Sequence, residues 1–269
     1  MTASTGTGDA AASGPSAAVD AAALVAAEAA ADAPAETGPR RVAVIFAHPD
    51  DAEFICAGTV AKWASEGHHV MYVLLTSGDK GSDDPEMTPE RLVAIREREQ
   101  RDACDLLGVK EVHFMRRLDG SLVADMDLRR DIVRVIRRLK PDVVICQDPT
   151  VRYVEKAYIN HPDHRAAGDA TLDAIFPAAR NRMTFPELLE EGLEPHRADE
   201  IWLAGSDAPD TAVDITGHID TKIAALRAHK CQLGDWDPDE MIRTWSRETA
   251  ARFPDHGEYA EAFRTFKLD

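Results

Sequence analysis

Two short strings carry the residues best suited to chemistry. The first is AHPDDAEF, residues 47–54, and the second is HPDH, residues 161–164. Imidazole and carboxylate are good ligands for a divalent ion, and a catalytic zinc takes three protein ligands and keeps one position open. His48 and Asp51 stand three apart across a strand-to-helix turn and can converge on one ion, with His164 completing the set from the other string. Asp50, His161 and Asp163 then remain beside it, enough for a base, an oxyanion partner and an orienting group. Spacing leaves open which of Asp50 and Asp51, and which of His161 and His164, would bind the ion. Either string alone reads equally well as a helix cap or a proline-set turn. Two related strings, each following a strand, favour a metal site.

The elements that must hold these strings alternate from Arg40 onward. RVAVIFA is a buried-strand run rich in Val and Ile. Residues 52–66 read as a helix with Phe54, Ile55, Val60 and Trp63 as its apolar positions, closed by Gly67. HHVMYVLLT is a second strand, followed by a turn-rich loop to Pro89. Residues 89–107 form a helix closed by Gly108, and EVHFM is a third strand. RRLDGSLVAD is a loop, residues 127–139 a helix, and PDVVICQ a fourth strand. Residues 162–179 form a further helix. This order, with strands apolar throughout, predicts an α/β fold: a Rossmann-like three-layer sandwich around a mostly parallel central sheet. Ligands in such sheets bind beyond the carboxyl ends of the strands, where both strings fall. Among residues 180–269, EIWLAG and TAVDIT read as short strands. HIDTKIAALRAHKCQ and DPDEMIRTWSRETAARF read as helices that need the main sheet for cover. Residues 39–269 are therefore expected to be one domain, preceded by a disordered Ala-rich tail over 1–38.

Composition narrows the function classes. The formal net charge of −17 argues against nucleic acid as a partner, since phosphate binding needs clustered Lys and Arg. It argues equally against adhesion to an anionic membrane. No stretch approaches the about 18 unbroken apolar residues of a membrane span, and residues 1–38 lack the basic start and apolar block of a secretory signal. Cys56, Cys104, Cys146 and Cys231 form no C-x-x-C pair and read as reduced, mostly buried thiols, which suits a cytoplasmic location. The turn after the first strand has no G-x-G-x-x-G, so a nucleotide cradle is not expected there. A homo-oligomer is compatible with all of this.

On AHPDDAEF and HPDHRAAG, the sequence resembles the LmbE-like, or PIG-L, de-N-acetylases, which include the mycothiol-pathway and bacillithiol-pathway deacetylases. LLTSGDKGS, REREQRDACDLLGV, RLDGSL, KPDVVICQDP and DTKIAALRAHKCQ support it more weakly, so that the resemblance covers about residues 41–232. The resemblance implies that His48, Asp51 and His164 bind Zn2+, with Fe2+ as another ion suited to the same ligands. It implies that Asp50 is the general base, that His161 stabilises the oxyanion as imidazolium, and that Asp163 holds and charges His161. Arg96, opening an R-x-x-E pattern with Glu99, and Asp119 would bind substrate. His229 lies near the position of the family's H-x-S-Q ending, but Cys231 replaces the usual Ser, and His229 is assigned no role. The implied function is hydrolysis of an N-acetyl group on an amino sugar or related small molecule. The competing readings are a metal-dependent phosphoesterase, which would want more bridging carboxylates, and a non-catalytic binding protein, which should lack a ligand or the base.

Overall fold

The computed structural model describes residues 38–268, apart from 155 and 157; the expectation for the Ala-rich tail lies outside them. In chain order the elements are β1 (Arg41–Phe46), α1 (Asp51–Ile55), α2 (Ala57–Ser65), β2 (His69–Thr76), α3 (Pro89–Leu107), β3 (Glu111–Arg117), α4 (Met126–Leu139) and β4 (Val143–Gln147). A short hairpin, β5 (Tyr153–Val154) and β6 (Tyr158–Ile159), precedes α5 (Pro162–Asp173). The second half holds α6 (Glu187–Glu190), β7 (Glu200–Ala204), β8 (Thr211–Asp214), α7 (Ile219–Arg227), α8 (Lys230–Leu233), α9 (Asp239–Arg252) and β9 (Ala260–Lys267).

Alternate residues of β1 enter opposite layers. Val42, Val44 and Phe46 pack with Ala57, Leu107, Ile219 and Leu226 on one face of the sheet. Ala43, Ile45 and Ala47 pack with Leu128, Ile132, Ala167 and Ala170 on the other. Every residue of β1 after Arg41 is therefore buried on whichever side it points, which is why the run reads as continuously apolar. The seven strands lie in the order β3-β2-β1-β4-β7-β9-β8. The first five are parallel, while β9 pairs antiparallel with both β7 and β8. The predicted three-layer α/β architecture is the one observed.

Three local differences from the sequence reading have physical causes. The helix expected over 52–66 is broken at Cys56, whose φ of −135° is not helical. The carboxylate of Glu261 accepts from the N–H groups of Gly58 and Thr59 at 2.9 and 2.7 Å, so a new helix start is capped from β9. The helix expected over 162–179 is regular only to Asp173, because Pro177 lies in its last turns and Phe176 leaves helical geometry. β9 was not expected. Its side chains are shared between core and solvent, and its partners are far away in sequence. Among the described residues, no helix is long and apolar enough to cross a membrane.

Candidate metal centre

Strand order reverses around β1, since β2 lies on one side of it and β4 on the other. The loops after β1, β3 and β4 therefore open onto a common crevice at the carboxyl edge of the sheet. After Phe46 the chain turns through Pro49, and Asp50 adopts a left-handed backbone conformation with φ 93°. For a non-glycine residue that conformation costs on the order of 1–3 kcal/mol and persists only where its surroundings impose it. Here the Asp50 N–H donates to Gln100 Oε1 at 3.2 Å, and the Pro49 carbonyl accepts from Arg96 Nη2 at 2.7 Å. The kink lets two adjacent aspartates face different neighbours. From the other string, His161 caps α5 by accepting the Asp163 N–H on its own Nδ1 at 3.2 Å.

The two strings, more than a hundred residues apart in sequence, meet. The rings of His48 and His161 have centroids 4.8 Å apart, those of His48 and His164 5.3 Å, and those of His161 and His164 5.4 Å. Asp51 lies between two of them: Oδ2 is 3.4 Å from His48 Nδ1, and Oδ1 is 3.0 Å from His164 Nε2. Asp51 Oδ2 also accepts from the His48 N–H at 2.8 Å and from Gln147 Nε2 at 3.2 Å. His164 Nδ1 lies 2.9 Å from Asn160 Oδ1. Since a carboxamide oxygen only accepts, Nδ1 is the donor in this contact, and Nε2 is turned towards Asp51.

Ligand atoms of His48, His161 and His164 lie within 4.8 Å of one another, as do those of His48, Asp119 and Asp163. His48 is buried, and its Nε2 has no aligned hydrogen-bond partner, although Asp119 Oδ1 is 3.0 Å away. Burial alone would lower the His48 pKa. The carboxylates of Asp51, Asp119 and Asp163 outweigh it and raise His48 far above the usual imidazole range. Burial, reinforced by Asp51 and opposed by the Arg96 guanidinium, pushes Asp50 up to about 6. An orphaned imidazole nitrogen, a second imidazole oriented by Asn160 and several convergent carboxylates fit a divalent cation with nitrogen and oxygen ligands.

The model for GlcNAc-PI de-N-acetylases (PIG-L) matches residues 43–175. The chain is 32% identical over 206 residues to a diacetylchitobiose deacetylase of Thermococcus kodakarensis, spanning 77% of this chain and 73% of that protein. The chain belongs to the PIG-L family. It is also 28% identical over 246 residues to a 1D-myo-inositol 2-acetamido-2-deoxy-alpha-D-glucopyranoside deacetylase of Thermomonospora curvata, spanning 72% of this chain and 81% of that protein. Among solved structures, an N,N'-diacetylchitobiose deacetylase from Pyrococcus horikoshii, in complex with an inhibitor, superposes with a TM-score of 0.78. It is 29% identical and covers 85% of this chain and 84% of its own.

Within this family member, four residues differ from the sequence reading in their contacts or their charge. The Asp163 carboxylate makes no hydrogen bond to His161. It accepts from the N–H groups of Gly120 and Leu122 at 2.7 and 3.1 Å and so ties down the loop after β3. Burial and the neighbouring His48 hold His161 below the usual imidazole range, not above it as expected. The Arg96 guanidinium is not open to substrate. Arg96 is 4% exposed, and its nitrogens donate to Gly78 O, Pro49 O and Asp50 Oδ2. Asp119 is buried against His48, and its Oδ2 accepts from the Lys80 N–H at 3.2 Å.

A polar layer behind Asp50 escaped the sequence reading. Glu53 Oε1 accepts from Gln100 Nε2 at 2.9 Å, and Glu53 Oε2 lies 3.4 Å from Nε2 of the fully buried His229. A signal for it exists in the sequence. Arg96 and Gln100 fall at i and i+4 on the helical stripe of Leu92, Ala103 and Leu107, where a solvated side chain has no place.

Proposed function

We propose that this chain is a zinc-dependent hydrolase that removes the N-acetyl group from an amino sugar or a related small-molecule conjugate. The observation that carries the reading is the convergence of the two His-Pro-Asp strings into one cluster, with Asp51 between His48 and His164. The deacetylase activities named for the relatives above support the same chemistry. His48, Asp51 and His164 would hold the ion, and Fe2+ suits the same ligands. Bound there, such an ion polarises an amide carbonyl and lowers the pKa of water.

The chain's own residues supply the rest. Asp50 accepts a proton from the attacking water, and its raised pKa brings it nearer the working range of a general base. Arg96 holds the Asp50 carboxylate at 3.1 Å and keeps it aimed. His161 Nδ1 accepts from backbone, so the ring presents its Nε2–H, a donor for the oxygen on which negative charge develops. Asp163 and Asp119 act as positioning groups that pack His48 from the loop after β3. Four free cysteines, three of them buried, suit a reducing compartment such as the cytoplasm.

The test is acetate release by the zinc-loaded chain across a panel of N-acetylated amino-sugar conjugates, with phosphate release from phosphoesters measured alongside. Asp50→Asn should retain zinc and lose turnover by on the order of 100-fold or more. Full activity in that variant would remove Asp50 from the role of base. Phosphate release without acetate release would replace the whole reading.

A further inference from the structure

A cavity of about 460 Å³ opens beside Asp51 and His164, within the size range of small-molecule sites. Phe54 and Ile55 of α1, Val154 of β5, Tyr158 of β6 and Trp245 of α9 line it. Val154, Tyr158 and Trp245 stay 44%, 50% and 51% exposed. A contiguous apolar wall left open to water marks a binding surface.

The polar side chains in the walls are committed within the protein. Gln147 gives its Nε2 to Asp51, and Asn160 gives its Nδ2 to the Val151 carbonyl while its Oδ1 meets His164. Asp148 Oδ1 accepts from the N–H and Oγ1 of Thr150. The remaining oxygens, Gln147 Oε1 and Asp148 Oδ2, have no surface on the cavity. A hydroxyl-rich ring placed here would lose its water and find few partners. An alkyl chain gains by leaving water.

An amide hydrolysed at this centre has two arms, an amino sugar and an acyl group. The loops after β2 and β3 also reach the centre: Asp119 Oδ1 lies 3.0 Å from His48 Nε2, and Asp119 Oδ2 accepts from the N–H of the exposed Lys80. Among the described residues, neither these loops nor Asp50 line the cavity. The hydroxylated arm finds its polar partners along those loops, which leaves the cavity to the acyl arm. An acetyl methyl is about the size of a water molecule, roughly 30 Å³, and would leave most of the cavity empty. We propose that this cavity is an acyl pocket, and that the chain takes amino sugars carrying an apolar N-acyl group longer than acetyl. Water adds across the amide C–N bond, leaving a fatty carboxylate and an ammonium group on the sugar. The proposal rests on the hydrolase reading above for the reaction, but its binding prediction does not depend on turnover. The relatives above are named as deacetylases, so this chain would differ from them in the acid it releases.

The test measures binding by calorimetry to the zinc-loaded full chain carrying Asp50→Asn, so that ligand is not consumed. The probes are N-acetyl-, N-butanoyl-, N-hexanoyl- and N-octanoylglucosamine, with the octyl glycoside of N-acetylglucosamine beside them. Burying a methylene is worth up to about fourfold in affinity, so the hexanoyl compound should bind at least about tenfold more tightly than the acetyl one. Val154→Glu and Trp245→Ala, both at half-exposed positions, should cut that ratio about 3- to 10-fold. Equal binding of the hexanoyl and acetyl compounds would overturn the pocket. So would a gain that survives both variants unchanged, since the chain would then be held elsewhere. An octyl glycoside that gains as much as the hexanoyl amide would give the cavity to the aglycone and overturn the acyl assignment. Amine release by the unsubstituted chain is a separate measurement: its absence with the binding series intact would sink the hydrolase reading and leave the acyl pocket standing.

Discussion

Arg96 Nη2 lies 3.1 Å from Asp50 Oδ2 and 2.7 Å from the carbonyl of Pro49, so one buried guanidinium grips both the side chain and the turn that carries it. The other arm of the fork, Nη1, donates to Gly78 O at 3.2 Å, a spread of partners that a single ammonium nitrogen does not span. Arg96→Lys should therefore leave zinc content intact and lower kcat by on the order of 10- to 100-fold, with KM changing less. A rise in KM alone, at constant kcat, would return Arg96 to a substrate-binding role.

Gly78 makes room for that guanidinium. Its φ is +65°, and a Cβ there would stand 2.2 Å from Arg96 Nη1. Gly78→Ala combines backbone strain with displacement of Arg96. Turnover should fall at least as far as in Arg96→Lys, and thermal melting should show a loss of more than about 1 kcal/mol. Wild-type kcat in this variant would mean that the loop after β2 moves freely away from Arg96.

Metal stoichiometry separates the two histidines of HPDH. His164→Ala should lose the ion, whereas His161→Ala should keep it and lose turnover, as measured by elemental analysis and acetate release. Loss of metal from both would assign His161 to the ligand set, which its distance from His48 and His164 allows.

Asn160 fixes the ring of His164 through Nδ1 at 2.9 Å. Partners of this kind orient a ligating imidazole and set its tautomer. Asn160→Ala should weaken zinc affinity by about 10- to 100-fold, read by competition with a chelator of known affinity. An unchanged affinity would argue that α5 alone orients His164.

Away from the centre, Lys222 and Glu261 form an ion pair in which both side chains are 3% exposed, and Glu261 also caps α2 through Gly58 and Thr59. Removing one member strands a buried charge. Glu261→Ala should cost about 3–5 kcal/mol in urea unfolding. Replacing both residues by apolar ones of similar volume should recover part of that loss, except for the contribution of the cap. A single-variant cost near zero would mean that water reaches Lys222.

The helices and parallel strands were legible because their evidence is local. Val and Ile runs, and Gly108 closing α3 at φ 81°, are properties of neighbouring residues. So were the two His-Pro-Asp strings and their place after strands. β9 and the break at Cys56 were not legible, since Glu261 caps α2 from about two hundred residues away. The polar layer of Glu53, Gln100 and His229 escaped the sequence reading because its members meet only when α1, α3 and the turn between α7 and α8 come together on one side of the sheet.

The amino-acid sequence by itself determined the fold class and the residues able to bind an ion, because periodicity and ligand chemistry are written in short spans. The tertiary structure decided how those residues divide the work. It turned Arg96 inward onto Asp50, gave the Asp163 carboxylate to the loop after β3, and brought His229 up to Glu53. Each of these follows from which side chains pack face to face across strands distant in sequence. Burial then fixes which charges must pair.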